Sequence, residues 1–160
     1  MNIRIVRVDY LNKHHASDLV YLLDYYDKDP MGGGTELSEH VKNNLVAELA
    51  KLKGSQSVLC YVDDKPAGLV NAFEGFSTFK CQYLINIHDV IILKEYRGLG
   101  LSQSLLGKVE EIAINKGYCK LTLEVLEGNT AAQNAYKKFG FSAYELDPAK
   151  GKALFWEKII

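Results

Sequence analysis

A mixed α/β (α+β) fold, in a single domain over residues 1–160, is the architecture that this sequence predicts. Helix-like and strand-like hydrophobic periodicities alternate along the chain. Hairpin strands precede a strand–helix–strand order, which favours parallel pairing near the middle of a sheet. A chain of 160 residues can bury one sizeable core without disulfides or metals, and no internal repeat or linker marks a domain boundary.

The first half of the chain predicts a strand, two helices and the loop that joins them. Apolar and polar residues alternate between Ile3 and Val8, as in a half-buried strand. Leucines at helical spacing predict a helix from about residue 16 to residue 26. A second helix carries a regular apolar face, formed by Val41, Leu45, Leu49 and Leu52. Between the helices, DKDPMGGGTELS predicts a mobile loop, because Pro30 and three consecutive glycines disfavour regular structure.

The second half predicts strands around one long helix. Residues 57–62 and 66–76 form a predicted hairpin, and YLINIHDVIIL, residues 83–93, has the apolar character of a central strand covered on each side. The helix that follows has an apolar face formed by Leu101, Leu105, Val109, Ile112 and Ala113. The strand CKLTLEVLE, a short helix that ends at Phe139 and a final hairpin, FSAYEL with ALFWEKII, complete the prediction.

Composition narrows the classes of partner. The formal net charge of -1 excludes the basic excess expected of proteins held on nucleic acid or on an anionic membrane. No apolar run approaches the roughly 20 residues of a membrane helix, and the first residues do not resemble a signal peptide. Cys60, Cys81 and Cys119 have neither metal-site nor disulfide spacing. We therefore expect a cytoplasmic protein with reduced cysteines and no metal.

RGLGLS, residues 97–102, joins the predicted central strand to the long helix and can bind an anion. The first amides of a helix lack internal partners and carry the positive end of its dipole. The exposed amides would be those from Gly98 to Gln103, and the Arg97 guanidinium would add a charged contact. The alternative is a plain tight turn beside a solvated arginine. A dinucleotide fingerprint needs a glycine at position 103, and no Lys-Ser/Thr pair follows a glycine loop as in nucleotide triphosphatases.

With Arg97, Gly100 and Ser102 at the positions of Arg/Gln-x-x-Gly-x-Gly/Ala, this turn resembles the acetyl-coenzyme A loop of the GCN5-related N-acetyltransferases (GNAT). Ser102 departs from the pattern by one hydroxymethyl group. GNTAAQNAYKKFGF is similar to the second signature of the family, and HDVIILKEYRGLG resembles its spermidine/spermine-type branch. The first half of the chain matches only in element order. The resemblance implies a mostly antiparallel sheet of six to seven strands with helices on both faces, splayed at the central parallel pair.

The resemblance also implies which residues would bind acetyl-CoA. In the family the pantetheine adds to the central strand like an extra strand, on the main chain of Val90, Ile91 and Ile92. The loop would hold the pyrophosphate through Arg97, Gly98, Leu99, Gly100, Leu101, Ser102 and Gln103. The second signature would contribute Asn129, Ala132 and Tyr136. Thr130 and Gln133 have capping-box spacing, which predicts Thr130 as the N-cap and leaves the Asn129 amide free. A core tyrosine and a turn asparagine are the alternative.

Acetyl transfer to an amine requires a neutral nucleophile, a stabilised oxyanion and a proton for the departing thiolate. An alkylamine of pKa about 10 is neutral in about one part in a thousand at pH 7, which costs roughly 4 kcal/mol. By the resemblance, His88 takes the position of a carboxylate that helps deprotonate the amine, and Tyr136 donates the proton. His88 and Asp89 are adjacent in a strand and are expected on opposite faces; a structural histidine paired with Asp89 is the alternative. The other candidate bases are Asp89, Glu124, Glu127 and water.

The loop between the first two helices lies where GNAT proteins build the acceptor pocket. Its acids and aromatic rings suit a cationic amine, and the candidate acceptor residues are Tyr26, Asp27, Asp29, Glu36 and His88. The predicted activity is acetyl-CoA-dependent N-acetylation of a primary amine on a small polyamine-like or amino-acid-like molecule, by direct attack in a ternary complex. The alternatives are a catalytically silent CoA-binding module and a protein lysine or N-terminal acetyltransferase. The aromatic C-terminal hairpin favours a homodimer.

Overall fold

In residues 1–29 and 32–160, five strands form one mixed sheet whose spatial order follows the chain. They are β1 (Ile3–Arg7), β2 (Ser55–Val62), β3 (Lys65–Ser77), β4 (Gln82–Ile92) and β5 (Leu121–Leu123). Neighbouring strands are antiparallel except β4 and β5, which are parallel. The mixed, mostly antiparallel sheet agrees with the prediction, but the predicted count of six to seven strands is wrong.

The computed structural model describes residues 1–29 and 32–160, and they form two compact units, Met1–Leu123 and Glu124–Ile160. The sheet belongs to the first unit. Pro30, which the sequence placed in a mobile loop, lies outside the described residues. In the described ranges, no helix is both long enough and apolar enough to cross a membrane. A single domain over residues 1–160 stays a prediction.

Helices cover both faces of the sheet in the first unit. α1 (Lys13–Asp27) and α2 (Glu39–Lys51) pack on one side, here called the α1/α2 face, and α3 (Leu101–Asn115) packs on the other. Side-chain caps begin the first two helices, because Asn12 accepts from two backbone amides of α1 and Ser38 accepts from one of α2. The core of the α1/α2 face includes Leu19, Leu22, Leu49, Leu59, Leu69 and Ile91.

The predicted apolar face of α3 is buried along its whole length. Successive residues of β3 point to opposite faces, so Leu69 joins the α1/α2 core while Gly68 faces α3. A Cβ at Gly68 would lie 2.8 Å from the Ile91 carbonyl oxygen and 3.0 Å from the Leu105 Cδ1 atom. Glycine is therefore needed here for the close approach of α3 to the sheet.

The parallel pair β4–β5 is short. Its register covers three pairs and ends at Ile87–Leu123, whereas β4 continues for five more residues to Ile92. The predicted strand over residues 119–127 contracts to Leu121–Leu123. In the described part of the first unit, β4 therefore extends past its parallel partner, and the splay of the pair stays a prediction.

The second unit contains α4 (Thr130–Phe139) and an irregular C-terminal segment. The predicted hairpin over residues 141–160 is wrong, because these residues contain no strand. The Ala153 N–H donates to the Tyr144 carbonyl at 3.3 Å, but no ladder of strand pairs follows. An isolated two-stranded hairpin is marginal in water, so an alternating apolar pattern does not suffice to form one. Large apolar side chains, among them Phe155 and Trp156, are left exposed.

Candidate active site

The loop between β4 and α3 is open to solvent. A 3₁₀ turn, Lys94–Tyr96, leads into Arg97, Gly98, Leu99 and Gly100, all of which are exposed. Gly98 and Gly100 have φ of 82° and 75°, a left-handed conformation that favours glycine. A Cβ on either residue would meet nothing within 4 Å, so the glycines are needed for their dihedral angles and leave the loop uncovered.

Gly100 is the N-cap of α3, and no side chain caps the helix. The carbonyl of Gly100 accepts from the amides of Gln103 (3.1 Å) and Ser104 (3.3 Å). The amides of Leu101 and Ser102 precede these bonds and have no acceptor within the helix. The prediction that the Gln103 amide is exposed is wrong, because the first turn of α3 tightens and uses it. The amides without an acceptor inside the helix are therefore those that come before Gln103.

The end of α1 is tied to this loop by two polar contacts. The Lys94 N–H donates to the Tyr25 hydroxyl at 3.2 Å. The Arg97 guanidinium lies 3.6 Å from the Asp29 carboxylate, and its Nε donates to the Ile92 carbonyl at 3.3 Å. Arg97 is therefore held beside the open end of β4, although its side chain is more than half exposed.

The main chain of β4 presents alternate residues to its open edge. The Leu93 N–H donates to the Ala67 carbonyl, so the backbone N–H and C=O groups of Leu93 point toward β3. Those of Ile91, two residues earlier, point the same way. Those of Val90 and Ile92 point the other way, beyond the last pair with β5. Of the three strand residues predicted to bind cofactor, Val90 and Ile92 thus have the orientation for it. Ile91 instead pairs with Leu69 and fills the α1/α2 core.

A β-bulge interrupts β4 at His88. Asn71 of β3 is opposite Asp89 and Ala72 is opposite Ile87, which leaves His88 as the extra residue. The His88 ring lies edge-on to Phe73 at 4.7 Å between centroids, while Asp89 accepts from the Asn71 Nδ2 at 2.9 Å. Phe73 and Asn71 are two residues apart on β3, so their side chains lie on the same face of the sheet. The expectation that His88 and Asp89 point to opposite faces is therefore wrong, because the bulge shifts the alternation by one residue.

Burial and hydrogen bonding act in opposite directions on Asp89. Loss of water raises the pKa of its carboxyl, while the Asn71 hydrogen bond and the nearby His88 oppose that rise. Burial, together with the negative charges of Asp89 and Asp29, raises the pKa of the Tyr26 phenol. A partly buried carboxyl, an exposed imidazole and a half-buried phenol thus lie on the α1/α2 face.

Asn71 is a site residue that the sequence analysis missed. Its side chain is 3% exposed and bonds to both Ser57 and Asp89. A single amide inside the apolar run GLVNAF is the signal that could have identified it, since buried polar groups require partners.

The candidate acceptor residues on the first unit lie in different environments. Tyr26 is half-buried near Asp89, and Asp29 pairs with Arg97. Asp27 lies beside the backbone of Gly33, where a Cβ would be 2.6 Å from its Oδ1. Glu36 is exposed and bonds to Lys42, which lowers the pKa of its carboxyl. The structure brings Tyr26 and His88 to the same face of the sheet. Glu36 instead forms ion pairs with Lys28 and Lys42.

In the second unit, the N-cap of α4 is Asn129. Its Oδ1 accepts from the Ala132 N–H at 3.1 Å, and the Gln133 Nε2 donates to the Glu127 carbonyl at 2.6 Å. The predicted Thr130 cap and free Asn129 amide are wrong, because asparagine is the better cap and the helix begins at Thr130 itself. Glu127 is exposed, as is Glu124, and both lie outside any strand.

Tyr136 lies on the α4 surface that also carries Ala132, one turn earlier. Its ring packs edge-on against Phe141 at 6.0 Å between centroids. The Phe141 N–H donates to the Tyr136 carbonyl at 3.0 Å, after Gly140 (φ 115°) ends the helix. The residue is partly exposed.

Residues 19–141 match the acetyltransferase (GNAT) family. The chain belongs to this family. The predicted membership is confirmed, and this GNAT chain has curated relatives named thialysine N-epsilon-acetyltransferase. The one from Bos taurus is 35% identical over 107 residues, 67% of this chain and 58% of the relative. The one from Sus scrofa is 37% identical with the same coverage. The aligned part thus spans less than two thirds of the length of these relatives.

Solved structures share the fold at low sequence identity. A probable acetyltransferase superposes with a TM-score of 0.82 at 20% identity, covering 98% of this chain and 99% of that one. AAC(6')-Iy, solved in complex with the bisubstrate analogue CoA-S-monomethyl-acetylneamine, superposes with a TM-score of 0.78 at 17% identity over the full length of both chains. These likenesses support the GNAT fold of the chain.

Proposed function

We propose that this GNAT chain is an acetyl-CoA-dependent N-acetyltransferase that acts on a primary amine of a small polyamine-like or amino-acid-like molecule. One observation carries the proposal: an uncovered, uncapped helix N-terminus follows β4, and the same strand bears a partly buried carboxylate and an exposed imidazole at its bulge. An anion site and a proton acceptor on one strand are what acetylation of an amine by a phosphorylated cofactor requires.

The residues present fit coenzyme A. The loop offers space at Gly98 and Gly100, amides ahead of Gln103 and the charge of Arg97 for a pyrophosphate. The open edge of β4 offers the main-chain groups of Val90 and Ile92 to a pantetheine amide. When bound, acetyl-CoA supplies an acetyl group activated as a thioester.

The proton-transfer roles are assigned to three side chains. Asp89 and His88 share a face, and either can take the ammonium proton, directly or through water, which lowers the roughly 4 kcal/mol cost of the free amine. Tyr136 is proposed to hold the proton that leaves with the thiol, at its phenol oxygen. Burial of Asp89 favours a cationic acceptor, because an ammonium group compensates a desolvated carboxylate.

The acceptor class is supported by the names of the relatives. Thialysine carries a primary amine at the end of a lysine-like side chain, so it combines a cationic tail with an amino-acid head. Tyr26, His88 and Asp89 form a partly buried anionic and aromatic surface that suits such a tail. Asp27, Asp29 and Glu36 are proposed to attract it at longer range.

The test is release of free thiol from acetyl-CoA across a panel of amines: thialysine, lysine, polyamines and peptides with free N-termini. We expect turnover on thialysine or a polyamine, with Tyr136→Phe and the double variant His88→Gln/Asp89→Asn each lowering kcat by about 10²-fold or more while CoA binding is kept. CoA binding by calorimetry with no turnover on any amine would indicate a silent CoA-binding module. Turnover on peptides alone would move the acceptor class to protein.

Assembly and location complete the proposal. We propose a cytoplasmic homodimer in which the exposed apolar side chains of the C-terminal segment are covered, since Phe155 and Trp156 are 77% and 82% exposed. Light scattering of the purified chain decides the oligomeric state. A monomer at all accessible concentrations would reject the dimer without affecting the proposed chemistry.

A further inference from the structure

A chain of hydrogen bonds crosses three strands through the buried residues Ser57 and Asn71 and ends at Asp89. The Tyr10 hydroxyl and the Ser57 Oγ are 2.9 Å apart, and the Ser57 hydroxyl donates to the Asn71 Oδ1 at 2.7 Å. The Asn71 Nδ2 donates to the Asp89 Oδ2 at 2.9 Å. Ser57 and Asn71 are 2% and 3% exposed, so water does not replace these partners.

The direction of this chain follows from the donors available. An ionised carboxylate only accepts, so Asn71 must present its amide nitrogen to Asp89 and its carbonyl oxygen to Ser57. The single hydroxyl hydrogen of Ser57 is then used toward Asn71. Tyr10 must therefore donate to Ser57, and every donor in the series points toward Asp89.

We propose that Asn71, backed by Ser57 and Tyr10, is a positioning residue that keeps Asp89 ionised and aimed at the α1/α2 face for the ammonium group of the acceptor. The inference rests on the proposed function. The β3 neighbours of Asn71 on the same face, Leu69 and Phe73, are apolar and pack in the α1/α2 core, so the face as such does not call for an amide at position 71. The amide is explained by the carboxylate that it contacts.

The charged and titratable groups that face Asp89 are few in the described residues. His88 lies on the same strand, and its positive form favours the ionised carboxyl. Tyr26 approaches from α1, and the negative charge of Asp89 raises the pKa of its phenol. Neither group occupies the position of Asn71 on β3, so neither can replace the hydrogen bond to Oδ2.

The experiment is a titration of the Asp89 carboxyl by carbon NMR in aspartate-labelled chain without cofactor or amine, assigned with Asp89→Asn. Asn71→Leu is expected to raise the midpoint by about 1 to 2 pH units, since a hydrogen bond to a charged group is lost. Ser57→Ala should raise it less, because Asn71 remains, and Tyr10→Phe least. Asn86→Leu is the matched control, since Asn86 bonds to Thr122 at 2.8 Å instead of to a carboxylate.

A second measurement connects the titration to the acceptor. In variants that keep the CoA affinity, the acidic limb of kcat/KM for the amine should move in parallel with the NMR midpoint, with KM for the amine raised. The proposal would be overturned if the titration midpoint of Asp89 did not move in Asn71→Leu. If that variant does not fold, an unmoved midpoint in Ser57→Ala would overturn it. An equal shift of the midpoint in Asn86→Leu would overturn it as well. A moved midpoint with unchanged KM and pH profile would overturn the acceptor role. If wild type acetylates no amine, the proposed function fails, while the titration still decides whether Asn71 controls Asp89.

Discussion

Replacement of Gly100 by alanine tests why the loop has a glycine there. A glycine can be needed for a left-handed dihedral angle or for the space that its missing Cβ leaves. Gly100 caps α3 at φ 75° and ψ 10°, and a Cβ there would meet nothing within 4 Å. The cost of Gly100→Ala is therefore due to the dihedral angle alone. A left-handed conformation costs a non-glycine residue about 1 to 2 kcal/mol.

That cost must appear in one of two measurable quantities. If the loop keeps its shape, the free energy of unfolding falls by about 1 to 2 kcal/mol. If the loop relaxes, the stability is spared, but the amides ahead of Gln103 turn away and the affinity for CoA falls. Since 1.4 kcal/mol corresponds to a factor of ten, the CoA Kd should then rise by about 5 to 30 times.

Gly107→Ala is the matched control on the same helix. Gly107 lies inside α3, has no positive φ, and its Cβ would also meet nothing within 4 Å. Alanine should therefore stabilise the chain there by about 0.5 to 1 kcal/mol and leave CoA binding unchanged. Urea unfolding and calorimetry with CoA measure both quantities. The reasoning is refuted if Gly100→Ala matches wild type in both, or if Gly107→Ala weakens CoA binding as much.

Three further outcomes follow from the packing. Gly68→Ala should lower the free energy of unfolding by about 1 to 3 kcal/mol, because its Cβ would lie 2.8 Å from the Ile91 carbonyl oxygen; wild-type stability in urea would contradict this. Because burial raises the Asp89 pKa in the fold, the contribution of Asp89 to the free energy of unfolding should fall as the pH rises from about 4 through that higher pKa. Asp89→Asn should remove this loss, and the same pH dependence of stability in the variant and in wild type would count against it. Burial raises the pKa of the Cys60 thiol to about 11, so a thiol reagent at pH 8 should label exposed Cys81 first, as peptide mapping would show, and equal rates would refute the burial.

The glycine loop and α3 could be predicted from the sequence because both depend on neighbouring residues. A left-handed φ at Gly98 and Gly100 and the spacing of apolar residues after Gly100 are local properties. The family resemblance of this same stretch was confirmed by the match over residues 19–141. The predicted N-cap of α4, Thr130, is one residue away from the observed N-cap, Asn129. Both residues are favoured as caps, and only the backbone conformation distinguishes them.

Other features depend on which strands pair, and the sequence did not contain that information in a local form. The bulge at His88 exists because β3 and β4 pair with one residue more on β4, and the resulting shift brings His88 and Asp89 to one face. The partners of Asp89 come from β3 and, through Ser57, from β2. In the C-terminal segment, apolar and polar residues alternate as in a hairpin, but no strand forms. Dihedral preference and periodicity act over a few residues, whereas register and buried hydrogen bonds are decided only when distant strands meet.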